Sequence, residues 1–334
     1  LIHLVFSSVN PLLAVGIGVL FSVLLSYILL SKFKKLLPTD RGREYVSQAS
    51  ESIGKPTGSG LFFVLSILFS AILFLPLTIA STFMYAIILA AMLFGYGDDR
   101  AHKPWHEYIK GLLDLFVSLS AALVFSFYFG TEVYIPFTGL TVTFPFFLFV
   151  LLATLLVWAS INVTNCTDGV DGLASSLSVI SLLAFLALSF FLETDGIWNS
   201  FTAITIGSLL VYLWFNTHPS TLLMGDAGSR GIGVILALSA LYTKNPISFL
   251  FICLVFIVDG GAGIIKISLK RFLKISILKN IRTPIHDHLR ESGSSGSDPS
   301  KKWKNQTLTI RFSLIHVLIC SLYLFLEAVI SGLR

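Results

Sequence analysis

The chain has 334 residues, 55% of them hydrophobic and 12% charged, with a mean hydropathy of +0.85 and a net charge of +5. That much apolar surface is foreign to a soluble domain of this size and fits a chain that crosses a bilayer many times. Because the basic residues gather between apolar runs, the positive charge reads as membrane topology and attraction to anionic lipid, and nucleic-acid binding is excluded.

A membrane-spanning helix takes about 20 apolar residues. Ten runs qualify, at roughly 11–30, 61–76, 79–97, 112–130, 144–162, 172–191, 199–215, 229–243, 246–267 and 309–330. Leu61 to Gly97 holds 37 residues without a charge. At ~1.5 Å per residue that is ~55 Å of helix, too long for one ~30 Å hydrocarbon core. Pro76 divides it into two spans. Of the 23 lysines and arginines, 21 fall in or beside the connections after runs 1, 3, 5, 7 and 9, the exceptions being Lys244 and Arg334. The positive-inside rule then makes those connections (about 31–60, 98–111, 163–171, 216–228 and 268–308) cytoplasmic and both termini extracytoplasmic. The expectation is an all-α polytopic membrane protein, one integral-membrane domain over 1–334 with ten transmembrane helices. The first run lacks a signal-cleavage pattern and reads as a retained helix.

In chain order, the first inner connection passes Lys32, Lys34, Lys35, Arg41 and Arg43 and ends in Gly54-Lys55-Pro56-Thr57-Gly58-Ser59-Gly60. Such a run entering a helix can offer backbone N–H groups and a lysine to an anion; an ordinary loop-to-helix junction is the alternative. Next comes Gly95-Tyr96-Gly97-Asp98-Asp99-Arg100, followed by His102, Lys103 and Lys110. Adjacent carboxylates at a helix C-terminus repel each other and oppose the helix dipole, so a structural cap is an unpromising purpose for them. A cation or a transferred proton would offset both penalties. Residues 131–143 alternate like a short hairpin around Thr138-Gly139, with a structural role.

Asn165-Cys166-Thr167-Asp168-Gly169-Val170-Asp171-Gly172 puts two acids and two glycines at a membrane edge, which marks a site by default. On helical turns the i,i+3 spacing of Asp168 and Asp171 would point both to one side. The connection Asn216 to Arg230 carries Met224-Gly225-Asp226-Ala227-Gly228-Ser229 at a helix start. Asp226 offers carboxylate oxygen, the donor that magnesium prefers, and an N-cap is the competing reading. His218 reads as a loop residue. In the ninth run, Asp259-Gly260-Gly261 can break the helix inside the bilayer. Lys266, Lys270, Arg271 and Lys274 among apolar residues resemble an amphipathic segment on the inner leaflet. His286 and His288 flank Asp287 at a spacing that does not share a helical face. Ser292 to Ser300 is a Gly/Ser-rich tract with no visible role.

Gly-x-Gly-Asp98-Asp99, Asn165-x-Thr-Asp168-Gly-x-Asp171-Gly, Asn216 with Met224-Gly225-Asp226-x-Gly-Ser229, and Pro284-Ile285-His286-x-His288 together resemble the polyprenyl-phosphate N-acetylhexosamine-1-phosphate transferases. The resemblance covers nearly the whole chain and is strongest to the bacterial phospho-N-acetylmuramoyl-pentapeptide branch. It implies transfer of phospho-MurNAc-pentapeptide from its UDP conjugate to undecaprenyl phosphate, giving UMP and lipid I, at the cytoplasmic side of a bacterial plasma membrane. It implies Mg2+ on Asp226, and Asp98 and Asp99 acting on the lipid phosphate or the metal. Asn165, Asp168, Asp171 and Asn216 would line the nucleotide and diphosphate region, and His286 and His288 would hold phosphate or sugar. Lys55, Thr57, Lys103 and Lys110 complete the expected substrate contacts, and a homodimer is expected. The chain departs from the family pattern at His102, where a lysine is usual, and at Asp287, where a third histidine is usual. The segment Lys55 to Gly60 also differs. A UDP-N-acetylglucosamine transferase is the neighbouring alternative. A secondary transporter would place its acids near the midplane and repeat its halves, neither of which is visible.

Overall fold

The computed structural model describes residues 11–42, 52–194, 196–292 and 302–332. Arg43, Arg334 and all but the first residue of the Gly/Ser-rich tract lie outside the described residues. The fold is mostly helical: α1 (Pro11–Lys32), α2 (Gly60–Phe74), α3 (Ile79–Arg100), α4 (Glu107–Phe129), α5 (Phe146–Thr167), α6 (Leu173–Phe191), α7 (Gly196–Asn216) and α8 (Gly225–Tyr242). These are followed by α9, a bent pair (Pro246–Ile252 and Leu254–Leu273), then α10 (Ile285–Ser292) and α11 (Asn305–Gly332). Each of the ten apolar runs forms helix, but among the described residues length and composition qualify seven as spans, or eight with the bent pair counted as one. Helix α2, at 15 residues, covers only ~22 Å of a ~30 Å core. Helix α8 carries Asp226 and Arg230 within its first two turns.

The all-α expectation is amended by one hairpin between α4 and α5. Strands β1 (Glu132–Ile135) and β2 (Leu140–Thr143) pair antiparallel, Glu132 opposite Thr143. At this end of the bundle, the Tyr134 hydroxyl (2.5 Å) and the Phe137 N–H (3.1 Å) donate to Glu327, a fully buried carboxylate of α11. Those two bonds let an acid persist among apolar helices.

Helix α8 is buried along its whole length, enclosed by α2, α3, α5 and α6. Its residues Ile232 to Leu241 are nearly all apolar or small, as an element without a water-facing side must be. Helix α1 lies outside, against α2 and α7, where Ser208 hydrogen-bonds Ser22 (2.8 Å) and Ser26 (2.6 Å).

The break in the ninth helix is displaced from its expected position. The 68° bend falls at Cys253, whereas Asp259-Gly260-Gly261 continues as a π-helical turn, Ile257–Gly261. The glycines serve close approach instead. A Cβ on Gly260 would stand 2.6 Å from the Val163 carbonyl oxygen and 2.9 Å from the Cys166 side chain, so only glycine lets α9 press on α5.

Candidate active site

The C-termini of α3 and α5 and the N-termini of α4, α6 and α8 meet at the bundle end opposite the hairpin. Three connected groups of polar side chains are built there.

The first lies between α3, α4, α5 and α8. Asp98, on the last turn of α3, accepts a hydrogen bond from the Trp105 backbone N–H (2.6 Å) and forms an ion pair with Lys110 of α4. The same Lys110 Nζ is 3.3 Å from Asp226 Oδ2, so one ammonium bridges two carboxylates. Asn165 Nδ2 donates to Asp226 Oδ1 and to Ser229 Oγ, each at 2.9 Å. Asp226 is only 3% exposed. A buried acid needs such partners to stay ionised.

Asp99 has a different task. Its two oxygens accept from the Asp226 and Ala227 backbone N–H groups, both at 2.9 Å. It therefore caps the N-terminus of α8 from the C-terminus of α3, where the helix dipole of α8 favours negative charge. The expectation that this acid pair is not a cap is corrected for Asp99. The penalty of sitting at its own helix end is offset by a second helix, which sequence-local reasoning does not see. Asp226 lies in the first turn of α8 without capping it, the N-cap position being Met224. Gly225 has φ +71, and a Cβ there would collide with the Asp99 carboxylate.

The second group centres on the turn from α5 to α6. Asp168 and Asp171 lie in that turn rather than on a shared helical face. Asp171 Oδ2 is 2.9 Å from His218 Nδ1, accepts from the Ser220 N–H (3.1 Å), and is 4.0 Å from Lys55 Nζ, which itself donates to Ser220 Oγ (3.0 Å). His218 lies in a loop, as read from sequence, and there it joins this polar group. Asn216 is buried and holds the turn, accepting from the Gly172 N–H (2.9 Å) and donating to the Leu222 carbonyl (3.0 Å). That is an architectural place rather than an open one.

In the third group His286 of α10 is clamped by Asp259 of α9. The carboxylate accepts from the His286 N–H (2.8 Å) and lies 2.7 Å from its Nδ1. The remaining ring nitrogen faces Gly169, where a Cβ would stand 2.5 Å from Nε2. Asp287, which replaces the third histidine of the family pattern, pairs with Arg290 (2.6 Å).

Several expected contacts are not drawn into these groups. Lys103 is exposed, and His288 Nδ1 accepts locally from the Arg282 N–H (3.4 Å). The N–H groups of Thr57, Ser59 and Gly60 are already taken by the carbonyls of Pro38, Leu223 and Met224, so the 55–60 run is a brace between loops instead of an anion cradle. Asp114, Arg230 and Asp259 were missed as site residues. An acid and an arginine one turn beyond Lys110 and Asp226 were the available signal for the first two.

Beside the first and third groups runs an apolar groove of about 540 Å³ between α5 and α9. It extends from Val133 and Phe144 near the hairpin to Val163, Gly261 and Ile264 near Asn165 and Asp259. It opens among side chains that face the outside of the bundle, such as Leu152, Leu155, Leu250 and Ile265.

These are the features of an integral-membrane transferase handling phosphoanions beside lipid, and the profile of Glycosyl transferase family 4 matches residues 81–244. The phospho-N-acetylmuramoyl-pentapeptide-transferase of Treponema pallidum is 38% identical over 326 residues, covering 91% of this chain and 86% of that protein. Proteins of the same name from Wolbachia pipientis (30% identical, 80% and 82% covered) and Clostridium acetobutylicum (27%, 92% and 96%) also match. The chain belongs to the phospho-N-acetylmuramoyl-pentapeptide-transferase family.

Proposed function

We propose that the protein transfers phospho-MurNAc-pentapeptide from UDP-MurNAc-pentapeptide to undecaprenyl phosphate, releasing UMP and forming lipid I. The observation that carries this reading is the pair of buried carboxylates, Asp98 and Asp226, sharing Lys110 where the ends of α3, α4 and α8 meet. Ten spans, with the site on the cytoplasmic side, belong to the same proposal and rest on the lysine and arginine distribution, whereas assembly as a homodimer rests on the family resemblance alone.

Donor and acceptor are both anionic, so their approach is opposed by like charge until cations neutralise it. Lys110, between Asp98 and Asp226, can do this, as can Lys55 at the Asp171 turn. The prenyl chain suits the groove, whose lining is apolar from end to end. The nucleotide suits the more open Asp171–His218–Lys55 group. A phosphate oxygen of the lipid attacks the phosphorus bonded to the sugar, the bridge to the uridine-bearing phosphate breaks, and UMP departs with that oxygen. A phosphate monoester has its second pKa at about 6, so the attacking oxygen needs little help from a base at neutral pH. Asp98 then serves to hold Lys110, and through that ammonium the acceptor phosphate. His286, fixed through Nδ1 by Asp259, presents Nε2 toward the turn that carries Asp168 and Asp171.

The donor type fits magnesium, though the donors are few: hard carboxylate oxygens from Asp226, with Asp98 across Lys110. A divalent ion bound there would supply charge neutralisation of the diphosphate. Release of UMP from each UDP-sugar, with and without undecaprenyl phosphate, tests the reading. UMP formed only with both the muramoyl-pentapeptide donor and the lipid supports it. UMP formed from UDP-N-acetylglucosamine instead moves the protein to the neighbouring reaction, and no UMP at all ends the transferase reading.

A further inference from the structure

Below the Asp98–Lys110–Asp226 bridge lies a second ion pair, which none of the motifs includes. Asp114 is one turn beyond Lys110 on α4, and Arg230 one turn beyond Asp226 on α8. The two pair directly, and the other terminal nitrogen of Arg230, Nη2, is 3.5 Å from Asp226 Oδ2. Both side chains are buried. Three carboxylates therefore share two built-in cations, and Asp226 Oδ2 alone has an ammonium at 3.3 Å and a guanidinium at 3.5 Å.

The two cations differ in freedom. The Lys110 side chain is 26% exposed and can swing aside on its flexible stem. The Arg230 side chain is 6% exposed and locked to Asp114, whose buried charge would be left alone if it moved. A divalent ion arriving at Asp226 can displace Lys110 but must tolerate Arg230. Its protein donors are also few: among the described residues no three His, Cys, Asp or Glu are grouped to hold a metal.

We infer that the Asp114–Arg230 couple makes Asp226 a weak site for a free divalent cation, so that the ion is taken up together with a nucleoside diphosphate. The diphosphate oxygens complete its shell and supply the missing negative charge. The couple also keeps Asp226 aimed and compensated when Lys110 moves, which makes Arg230 a positioning residue. This inference rests on the reading that the substrate carries a nucleoside diphosphate.

The test is Mn2+ binding, followed by its spin resonance signal, on the full-length protein in detergent, with and without UDP. Wild type should bind Mn2+ at least tenfold more tightly with UDP than alone. Asp114→Asn combined with Arg230→Gln keeps the net charge and leaves no lone buried ion, and should bind Mn2+ alone at least fivefold more tightly than wild type. Arg230→Lys should stay weak. If the amide pair does not fold, judged by melting, Asp114→Leu with Arg230→Met replaces it under the same expectation. Wild-type affinity that ignores UDP, or a double variant with wild-type affinity for Mn2+ alone, would overturn the inference. UMP release is read on the same preparations. Its absence in wild type counts against the transferase reading, whereas release with an unaltered Mn2+ affinity in the double variant counts against the couple alone.

Discussion

Replacing Asp99 separates a structural from a chemical role for the second acid of the pair. In wild type its carboxylate accepts two backbone N–H groups of α8, from Asp226 and Ala227, each at 2.9 Å. A hydrogen bond to a charged group is worth about 1.5–3 kcal/mol. Asp99 is half-buried, so water replaces part of the loss, leaving about 2–4 kcal/mol for Asp99→Ala. At ~2–4 °C per kcal/mol for a chain of this size, the melting temperature should fall by about 5–15 °C. Asp99→Asn keeps one acceptor and turns an N–H toward a second N–H, so it should land between the alanine variant and wild type. UMP release should fall in the same order, because the N-terminus that loosens carries Asp226. Melting in detergent, followed by intrinsic fluorescence, gives the first quantity and labelled UMP the second. An Asp99→Ala protein that melts like wild type yet releases no UMP would refute the capping account and put Asp99 in the chemistry.

Other expectations concern separate parts of the molecule. Lys55→Ala removes a cation 4.0 Å from Asp171 and should raise KM for the UDP-sugar by about tenfold, the weight of one charge-assisted contact at ~1.4 kcal/mol, with a smaller effect on kcat; an unchanged KM contradicts that placement. Asp259→Ala frees the His286 ring and should lower kcat by one to two orders of magnitude, with Asp259→Glu recovering part of it, in steady-state UMP release. Tyr134→Phe leaves buried Glu327 with one fewer donor. It should cost about 1–3 kcal/mol of stability, seen as a lower melting temperature, while UMP release below that temperature stays at the wild-type rate.

Much of this was legible in the chain because apolar length and charge placement act locally. All ten runs are helical, and the hairpin at 132–143 follows from its alternation. What local reasoning could not supply was partnership across elements. Asp99 caps a helix more than 120 residues downstream. His218 gains its place only because the loop after α7 folds back on Asp171. Gly260 looked like a helix breaker and proved to be a contact surface for α5, since a missing Cβ has the same sequence signature in both uses. Arg230 looked like the last basic residue of an inner connection, and its burial depends on Asp114 being carried to it by another helix.

The account turns on Asp226 as the carboxylate around which the transfer is organised. Asp226→Asn preserves its volume and its contact with Asn165 while removing the charge that Lys110 and Arg230 share. Labelled UMP released from UDP-MurNAc-pentapeptide in the presence of undecaprenyl phosphate, normalised to folded protein, is the direct reading. A fall of at least about a hundredfold is predicted for loss of a metal-holding charge. Turnover within a few-fold of wild type would contradict it.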